Sequence, residues 1–196
     1  MTIKQFEDQT LAHYSYAIVS EGKMALVDPA RDPMPYYEYA ESSNAAIVAV
    51  FETHPHADFV SSHLQIHKET GATIYVSKLL GADYPHKTFD DGDSLSMGKL
   101  LFKAINTPGH SPDSITIIAT DKHGKNAMFT GDTLFVGDVG RPDLREKVGN
   151  MKAKREELAS SMYRTIQSKY SHLSNDTLVY PAHGAGSLCG SNLGGE

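Results

Sequence analysis

Two histidines and an aspartate occur at alternate positions in the segment His54-x-His56-x-Asp58. The apolar run at residues 46–51 predicts a buried strand, and the helix formers at residues 58–69 predict a helix that starts near Asp58. Side chains at i and i+2 of an extended chain point the same way, so we expect His54 and His56 to face one point above the strand end. Neutral imidazole is the commonest metal ligand in proteins. The segment therefore favours a metal site over polar loop histidines.

The same pattern of a strand followed by a polar residue recurs along the chain. Three further residues each come just after an apolar, strand-like run: His110 after residues 100–105, Asp132 after 126–130 and His183 after 177–180. Ligands gather in loops at strand ends, where the backbone is fixed and side chains are free. One loop histidine or one Gly-Asp turn carries little weight, but the repetition predicts a metal site.

The remaining elements predict an α+β fold. Residues 14–19 and 24–28 predict a hairpin, residues 73–76 a short strand that completes a β-α-β unit, and residues 151–169 the longest helix. Strands in runs with interspersed helices indicate two sheets covered by helices on their outer faces.

Composition bounds the function classes. A length of 196 residues suits one domain, and a net charge of −6 without a basic stripe argues against nucleic-acid binding. No apolar run reaches the ~18 residues of a membrane span. The single cysteine, Cys189, fits a reducing cytoplasm, and ten histidines direct metal chemistry towards nitrogen and oxygen ligands.

The ordered motifs resemble the metallo-β-lactamase superfamily over nearly the whole chain. They are His54-x-His56-x-Asp58, Pro108-Gly109-His110-Ser111, Gly131-Asp132-Thr133 and the late histidine His183. The resemblance implies an αββα sandwich of two mixed β-sheets flanked by helices, with the metal in a cleft along one sheet edge. We expect this domain to cover residues 1–186, and the glycine-rich residues 187–196 to form a tail or linker.

One departure from the superfamily pattern narrows the expected chemistry. Hydrolases of the superfamily carry a histidine where this chain has Phe59, and that histidine helps to hold a second metal. Its loss fits a mononuclear centre of two histidines and one carboxylate, the set typical of non-haem Fe(II) oxygenases.

Within the superfamily the chain is similar to the persulfide dioxygenases, also called sulfur dioxygenases. They oxidise a low-molecular-weight thiol persulfide, such as glutathione persulfide, with O2 to sulfite and the thiol, in sulfide detoxification. The resemblance implies one Fe(II) per chain, bound by His54, His110 and Asp132. It also implies residues that orient the ligands or bound water: His56, Asp58 and His183.

Residues 136–144 are similar to the Gly-Arg-x-Asp segment of persulfide dioxygenases. Arg141 offers a planar donor fork for an anionic substrate group, or else an ion pair with Asp143 or Asp138 that fixes the loop. Tyr180 is expected either to line the cleft and contact substrate or to belong to the core.

Residues 180–190 are similar to members fused to C-terminal rhodanese domains. Rhodanese domains or a sulfurtransferase are therefore expected partners, and relatives suggest a homo-oligomer. Cys189 is either a persulfide carrier beside the iron, with a lowered thiol pKa, or a small loop residue without chemistry.

Two other function classes stay open. The first is a zinc thioester hydrolase of the glyoxalase II type, which Phe59 argues against. The second is a non-catalytic or sensing domain. The remaining histidines are expected to be ordinary: His63 and His67 on the helix surface, and His13 in polar surroundings without a partner pattern.

Overall fold

The strands pair into two sheets. The computed structural model describes residues 1–144 and 151–184 together with Ser187 and Cys189. Within them, β1 to β6 are Thr2–Asp8, His13–Ser20, Lys23–Val27, Ala46–Phe51, Thr73–Val76 and Lys87–Thr88, and they form a six-stranded sheet in that order. In chain order, β7 to β11 are Ser94–Met97, Leu100–Asn106, Ile115–Thr120, Asn126–Gly131 and Leu178–Pro181. They form a five-stranded sheet in the order β11-β10-β9-β8-β7.

Both sheets are mixed, which confirms the predicted fold class. In the first sheet β1, β2 and β3 are antiparallel, and the pairs from β3 to β6 are parallel. In the second sheet β10 and β11 are parallel and the other pairs are antiparallel. The predicted hairpin is β2–β3, and the predicted β-α-β unit joins β4 to β5.

Helices cover the outer faces of the two sheets. Helix α1 is Met34–Ser42, α2 is His63–Thr70, and α3 is Met151–Arg164, continued by a π-helical stretch at Thr165–Tyr170. Helices α1 and α2 lie on the first sheet over a buried layer that includes Leu26, Val50 and Ile66. Helix α3 reaches the second sheet where Met162 packs on Gly109, and a Cβ at Gly109 would lie 2.7 Å from that of Met162. None of the described helices is long and apolar enough to cross a membrane.

The main core lies between the two sheets. Phe51 on β4 packs its ring against Phe102 on β8, with centroids 5.2 Å apart, and against Tyr75 on β5 at 5.1 Å. Burying each large apolar side chain contributes about 1.5–3 kcal/mol. This layer fixes β4 against β8, so the loops that leave their ends are held at a set separation.

The helix predicted from residue 58 begins five residues later, at His63. Tertiary contacts hold the intervening residues in turns: the backbone N–H of Ser62 donates to the carbonyl of Ala30 at 3.3 Å, and the Asp58 carboxylate bonds His183. Local helix propensity is a weak force beside such contacts. The predicted helix over 151–169 is likewise α-helical only as far as Arg164.

Candidate metal centre

His54, His110 and Asp132 lie in the loops after β4, β8 and β10, and their donor atoms converge. We call these three residues the triad. The Nε2 atoms of His54 and His110 each lie 3.6 Å from Oδ2 of Asp132, and the three side chains are almost fully buried. Two ligand atoms that each lie about 2.1 Å from one metal ion are roughly 3 to 3.5 Å apart. The spacing of the triad therefore fits one ion with a small adjustment.

Hydrogen bonds orient His54 for metal binding. The Thr53 hydroxyl donates to Oδ2 of Asp28 at 2.7 Å and lies 3.0 Å from Nδ1 of His54. Because the hydroxyl proton points to the carboxylate, the oxygen accepts from Nδ1–H, and Nε2 keeps its lone pair for a metal. Gly131 makes this approach possible: it has a φ of 54°, and a Cβ there would collide with the Thr53 hydroxyl.

His110 and Asp132 are oriented in the same way. Nδ1 of His110 lies 3.0 Å from the carbonyl of Arg141, which can only accept, so Nδ1 carries the proton of the neutral ring and Nε2 carries its lone pair. Oδ1 of Asp132 accepts from Nδ1 of His183 at 2.6 Å. Oδ2 is buried without a hydrogen-bond partner among the described residues and faces both triad histidines. A buried carboxylate oxygen that makes no hydrogen bond and lies between two imidazole nitrogens suits a divalent cation.

The charge state of Asp132 agrees with a ligand role. Burial raises the pKa of Asp132, but contact with the imidazoles of His183 and His54 outweighs burial and holds the pKa well below its usual range. The same contact raises the pKa of His54, although burial opposes it. A proton and a metal ion therefore compete for Nε2 of His54.

His183 links the triad to Asp58. Its Nε2 lies 3.0 Å from Oδ2 of Asp58, while Nδ1 donates to Asp132. Burial lowers the pKa of His183, but the bonds to the two carboxylates outweigh burial and raise the pKa to about 9. The ring is therefore a cation at neutral pH and connects the two carboxylates.

Cys189 lies beside Asp58 and His183. One ligand atom each of Asp58, His183 and Cys189 lies within 4.8 Å of the others, and the half-buried cysteine accepts a backbone hydrogen bond from Arg141. The expected lowering of the Cys189 pKa is wrong: burial and the charge of Asp132 raise it. Most of the predicted glycine-rich tail, residues 188 and 190–196, lies outside the described residues.

His56 does not face the triad, contrary to the expectation that His54 and His56 point to one spot. Its Nε2 lies 3.2 Å from Oδ1 of Asp28 and 3.8 Å from Oε2 of Glu52. The rule that i and i+2 point the same way holds for extended strands, and β4 ends at Phe51, before the motif. The structure therefore leaves the triad with two imidazoles.

Phe59 packs where the superfamily pattern has a histidine. Its ring centroid lies 4.2 Å from that of His13 and 4.4 Å from that of His56. His13 is buried at the start of β2, contrary to the expected polar surroundings, and burial lowers its pKa to about 4. At the position where the superfamily has a metal-binding histidine, this chain thus has a phenyl ring that packs against the neutral imidazole of His13.

The two residues predicted to contact substrate lie in different settings. The Arg141 guanidinium makes a bidentate pair with Asp143, at 3.0 and 2.8 Å, and the arginine side chain is 38% exposed beside the loop that orients His110. Tyr180 is partly buried and packs against the main core, with its ring 5.3 Å from Tyr16 and 5.2 Å from Phe129. This position agrees with the core alternative, and substrate contact by Tyr180 stays a prediction.

Sequence reasoning missed three residues beside the site: Asp28, Glu52 and His63. Asp28 directly follows β3 and Glu52 directly follows β4, so the strand-end pattern that found Asp132 also applies to them. His63 is not an ordinary surface residue, since its Nδ1 is buried and lies 3.5 Å from Oε1 of Glu52. Burial, and then the charge of Asp28, raise the pKa of Glu52 well above its usual range.

Known proteins resemble this chain in sequence and in structure. The human mitochondrial persulfide dioxygenase ETHE1 is 28% identical over 160 residues, which cover 81% of this chain and 58% of the human protein. The cytoplasmic hydroxyacylglutathione hydrolase of Arabidopsis thaliana is 32% identical over 176 residues, covering 87% of this chain and 63% of that enzyme. A metallo-beta-lactamase structure from Staphylococcus aureus superposes with a TM-score of 0.91 at 35% identity, covering 98% of this chain and 59% of that one.

The chain spans less than two thirds of the length of each of these three proteins. The family described as the metallo-beta-lactamase superfamily matches residues 9–183. The matched residues include the triad, its orienting partners Thr53 and Arg141, and His183. The chain belongs to the metallo-β-lactamase superfamily.

Proposed function

We propose that this protein is a non-haem Fe(II) persulfide dioxygenase acting in sulfide detoxification. The observation that carries the proposal is the donor set of the triad: His54, His110 and Asp132 converge, while His56 faces other carboxylates. Two histidines and one carboxylate with open positions are typical of Fe(II) oxygenases. The similarity to the human persulfide dioxygenase supports the same reaction class.

The triad residues would hold the iron, and their partners would keep them in place. When bound, Fe(II) would supply the redox chemistry that joins O2 to the terminal sulfur of a persulfide. The proposed reaction consumes a persulfide R–S–SH, O2 and water and gives the thiol R–SH, sulfite and two protons. Thr53 and the Arg141 carbonyl fix the tautomers of His54 and His110, so both rings present lone pairs.

Arg141 is the proposed contact for an anionic group of the thiol substrate, such as a carboxylate of glutathione persulfide. Its guanidinium is partly exposed and is already matched to a planar carboxylate, that of Asp143. A substrate carboxylate has the same geometry and could share or replace that partner.

Cys189 is a proposed persulfide carrier at the same centre. The support is its position beside Asp58 and His183, next to the triad. Burial raises its pKa, so transfer to this thiol requires a neighbouring base or a bound cation to lower the pKa. A Cys189→Ser protein is expected to lose turnover with a protein-bound persulfide donor; unchanged turnover with every donor would remove Cys189 from the mechanism.

A sulfurtransferase, in the form of fused or separate rhodanese domains, is the proposed source of the persulfide. The similarity of residues 180–190 to rhodanese-fused members supports this partner. A homo-oligomeric assembly is proposed on the same resemblance, and sedimentation of the purified protein tests it.

A zinc thioester hydrolase is the second candidate. It is favoured by Asp58, His183 and Cys189, whose ligand atoms lie close enough together for a second metal beside the triad. The similarity to the Arabidopsis hydroxyacylglutathione hydrolase also supports it. Zinc ions held by these residues and by the triad would supply the Lewis acidity and the activated water that thioester hydrolysis needs.

Oxygen uptake by anaerobically purified, iron-loaded protein tests the two candidates. On addition of glutathione persulfide we expect equal amounts of O2 consumed and sulfite formed. His110→Ala should abolish both, whereas His123→Ala, which removes an exposed loop imidazole, should leave them unchanged. Zinc-loaded protein that hydrolyses S-acylglutathione, with no O2 uptake in the iron-loaded form, would contradict the dioxygenase and support the hydrolase.

A further inference from the structure

Asp28, Glu52 and His56 form a second cluster of metal-binding residue types, which we call the buried acidic cluster. Nε2 of His56 lies 3.2 Å from Oδ1 of Asp28 and 3.8 Å from Oε2 of Glu52, and one ligand atom of each residue lies within 4.8 Å of the others. The side chains of His56, Asp28 and Glu52 are 1%, 2% and 6% exposed. Three donors therefore face one small space that is closed to bulk water.

The two carboxylates need a positive partner. Asp28 accepts hydrogen bonds from the N–H and the hydroxyl of Thr53, and Glu52 accepts one from the hydroxyl of Ser61. Burial and the charge of Asp28 disfavour ionisation of Glu52 and raise its pKa, and a cation between the two carboxylates would remove that penalty. In the described part of the chain, the ion pairs of both carboxylates involve histidine alone, with no lysine or arginine within 4 Å.

The histidines that face the two carboxylates make no well-aligned hydrogen bond to a described residue. Nε2 of His56 is within ion-pair distance of Asp28, but neither ring nitrogen of His56 makes a hydrogen bond of good geometry to a described residue, and the same is true of Nδ1 of His63, which lies 3.5 Å from Oε1 of Glu52. Buried nitrogens without such a bond are rare in folded proteins, and a bound ion is one explanation for them. Here they point at carboxylate oxygens, so their lone pairs and the negative charge meet in one place.

We propose that the buried acidic cluster binds a divalent transition-metal ion through Asp28, Glu52 and His56, with His63 as a fourth donor. Mixed carboxylate and imidazole donors suit Zn²⁺, Mn²⁺ or Fe²⁺. One such cation neutralises both carboxylates and gives the unpaired nitrogens a partner. The site shares no ligand with the triad.

This second ion has a consequence for the triad. It holds Nε2 of His56 on Asp28 and Glu52, so the imidazole is kept out of the triad and the triad retains two histidine ligands. Asp28 also binds the Thr53 hydroxyl that orients His54, which connects the two sites through one residue. The proposal holds whichever reaction the triad catalyses.

Diffraction from wild-type crystals loaded with Mn²⁺ alone tests the site directly. Data on both sides of the manganese absorption edge should show two anomalous peaks, one at the triad and one within bonding distance of His56 and the two carboxylates. A peak at the triad with none in the buried acidic cluster would overturn the proposal. This test does not depend on any variant folding.

Zinc stoichiometry after dialysis against Zn²⁺ gives a second test with matched variants. Glu52→Gln should bind one zinc fewer than wild-type protein, and Glu38→Gln, the same change at an exposed position of α1, should bind as much as wild type. Wild-type zinc content in folded Glu52→Gln protein would overturn the proposal. Oxygen uptake is measured separately, so its failure would count against the dioxygenase and not against this site.

Discussion

The triad and the buried acidic cluster share the segment Thr53–His56 but differ in how their histidines are held. In the triad, hydrogen-bond acceptors fix Nδ1 of both His54 and His110, and both Nε2 atoms face a carboxylate oxygen that makes no hydrogen bond to a described residue. In the buried acidic cluster, His56 lies against two carboxylates, and within the described ranges no hydrogen bond fixes either of its nitrogens. Two histidines of one motif can therefore serve different sites, and the number of histidines in the motif does not give the number of ligands.

Substitution of Thr53, which orients His54 and bonds Asp28, is expected to change the metal affinity of the triad more than the other substitutions considered below. Thr53→Val removes the hydroxyl that holds His54 and bonds Asp28, while the backbone N–H of residue 53 still reaches Asp28. Loss of such an orienting partner lowers metal affinity by about 10 to 100-fold. Competition with a chelator measures the change, and Thr53→Ser, which keeps the hydroxyl, should restore most of the affinity. Equal affinities in all three proteins would show that the hydrogen bond does not orient the ligand.

Phe59→His sharpens the comparison by restoring the imidazole of the usual superfamily pattern. The new imidazole follows Asp58 directly and takes the place of a ring that packs on His13, whose own ring lies 5.4 Å from that of His183. The variant is therefore expected to bind one zinc more than wild-type protein and to lose oxygen uptake as zinc is added. Loss of the ring contacts with His13 and His56 should also cost about 1 kcal/mol of stability. Metal analysis and thermal unfolding check the two effects. A zinc content equal to that of wild type would mean that Phe59 does not determine the metal count.

Much of the site could be predicted from the sequence because His54, His110, Asp132 and His183 each follow a strand that is visible as an apolar run. Strand ends fix the backbone, so the topology alone brings these residues to one edge. The buried acidic cluster could not be predicted in this way, since single acids such as Asp28 and Glu52 are common in turns.

The directions of the side chains in loop 52–62 also could not be predicted from the sequence. Residues in this loop follow neither the strand period nor the helix period, so alternation gives the wrong direction for His56. Long-range contacts decide the loop instead: Ser62 bonds Ala30, and Asp58 bonds His183 across most of the chain. Because of the same contacts, α2 begins at His63 and not near Asp58.

Tyr180→Phe is expected to have the smallest effect, because the ring packs against the core residues Tyr16 and Phe129. We expect the KM for glutathione persulfide to change by less than about twofold, since a ring of the same shape is kept. Steady-state oxygen uptake measures this, with Arg141→Lys as the contrasting variant, for which the loss of the planar fork should raise KM about tenfold. A large rise in KM for Tyr180→Phe would return Tyr180 to the substrate site.

The iron content of His54→Ala and His56→Ala proteins, purified anaerobically side by side, tests the central claim most directly. The two variants remove the same side chain two positions apart in one motif. If His54 is a ligand and His56 is not, His54→Ala loses the iron of the triad and His56→Ala keeps it, and the anomalous peak of iron at the triad distinguishes this ion from any iron in the buried acidic cluster. Loss of iron from both proteins, with both still folded, would place His56 in the triad and contradict the account.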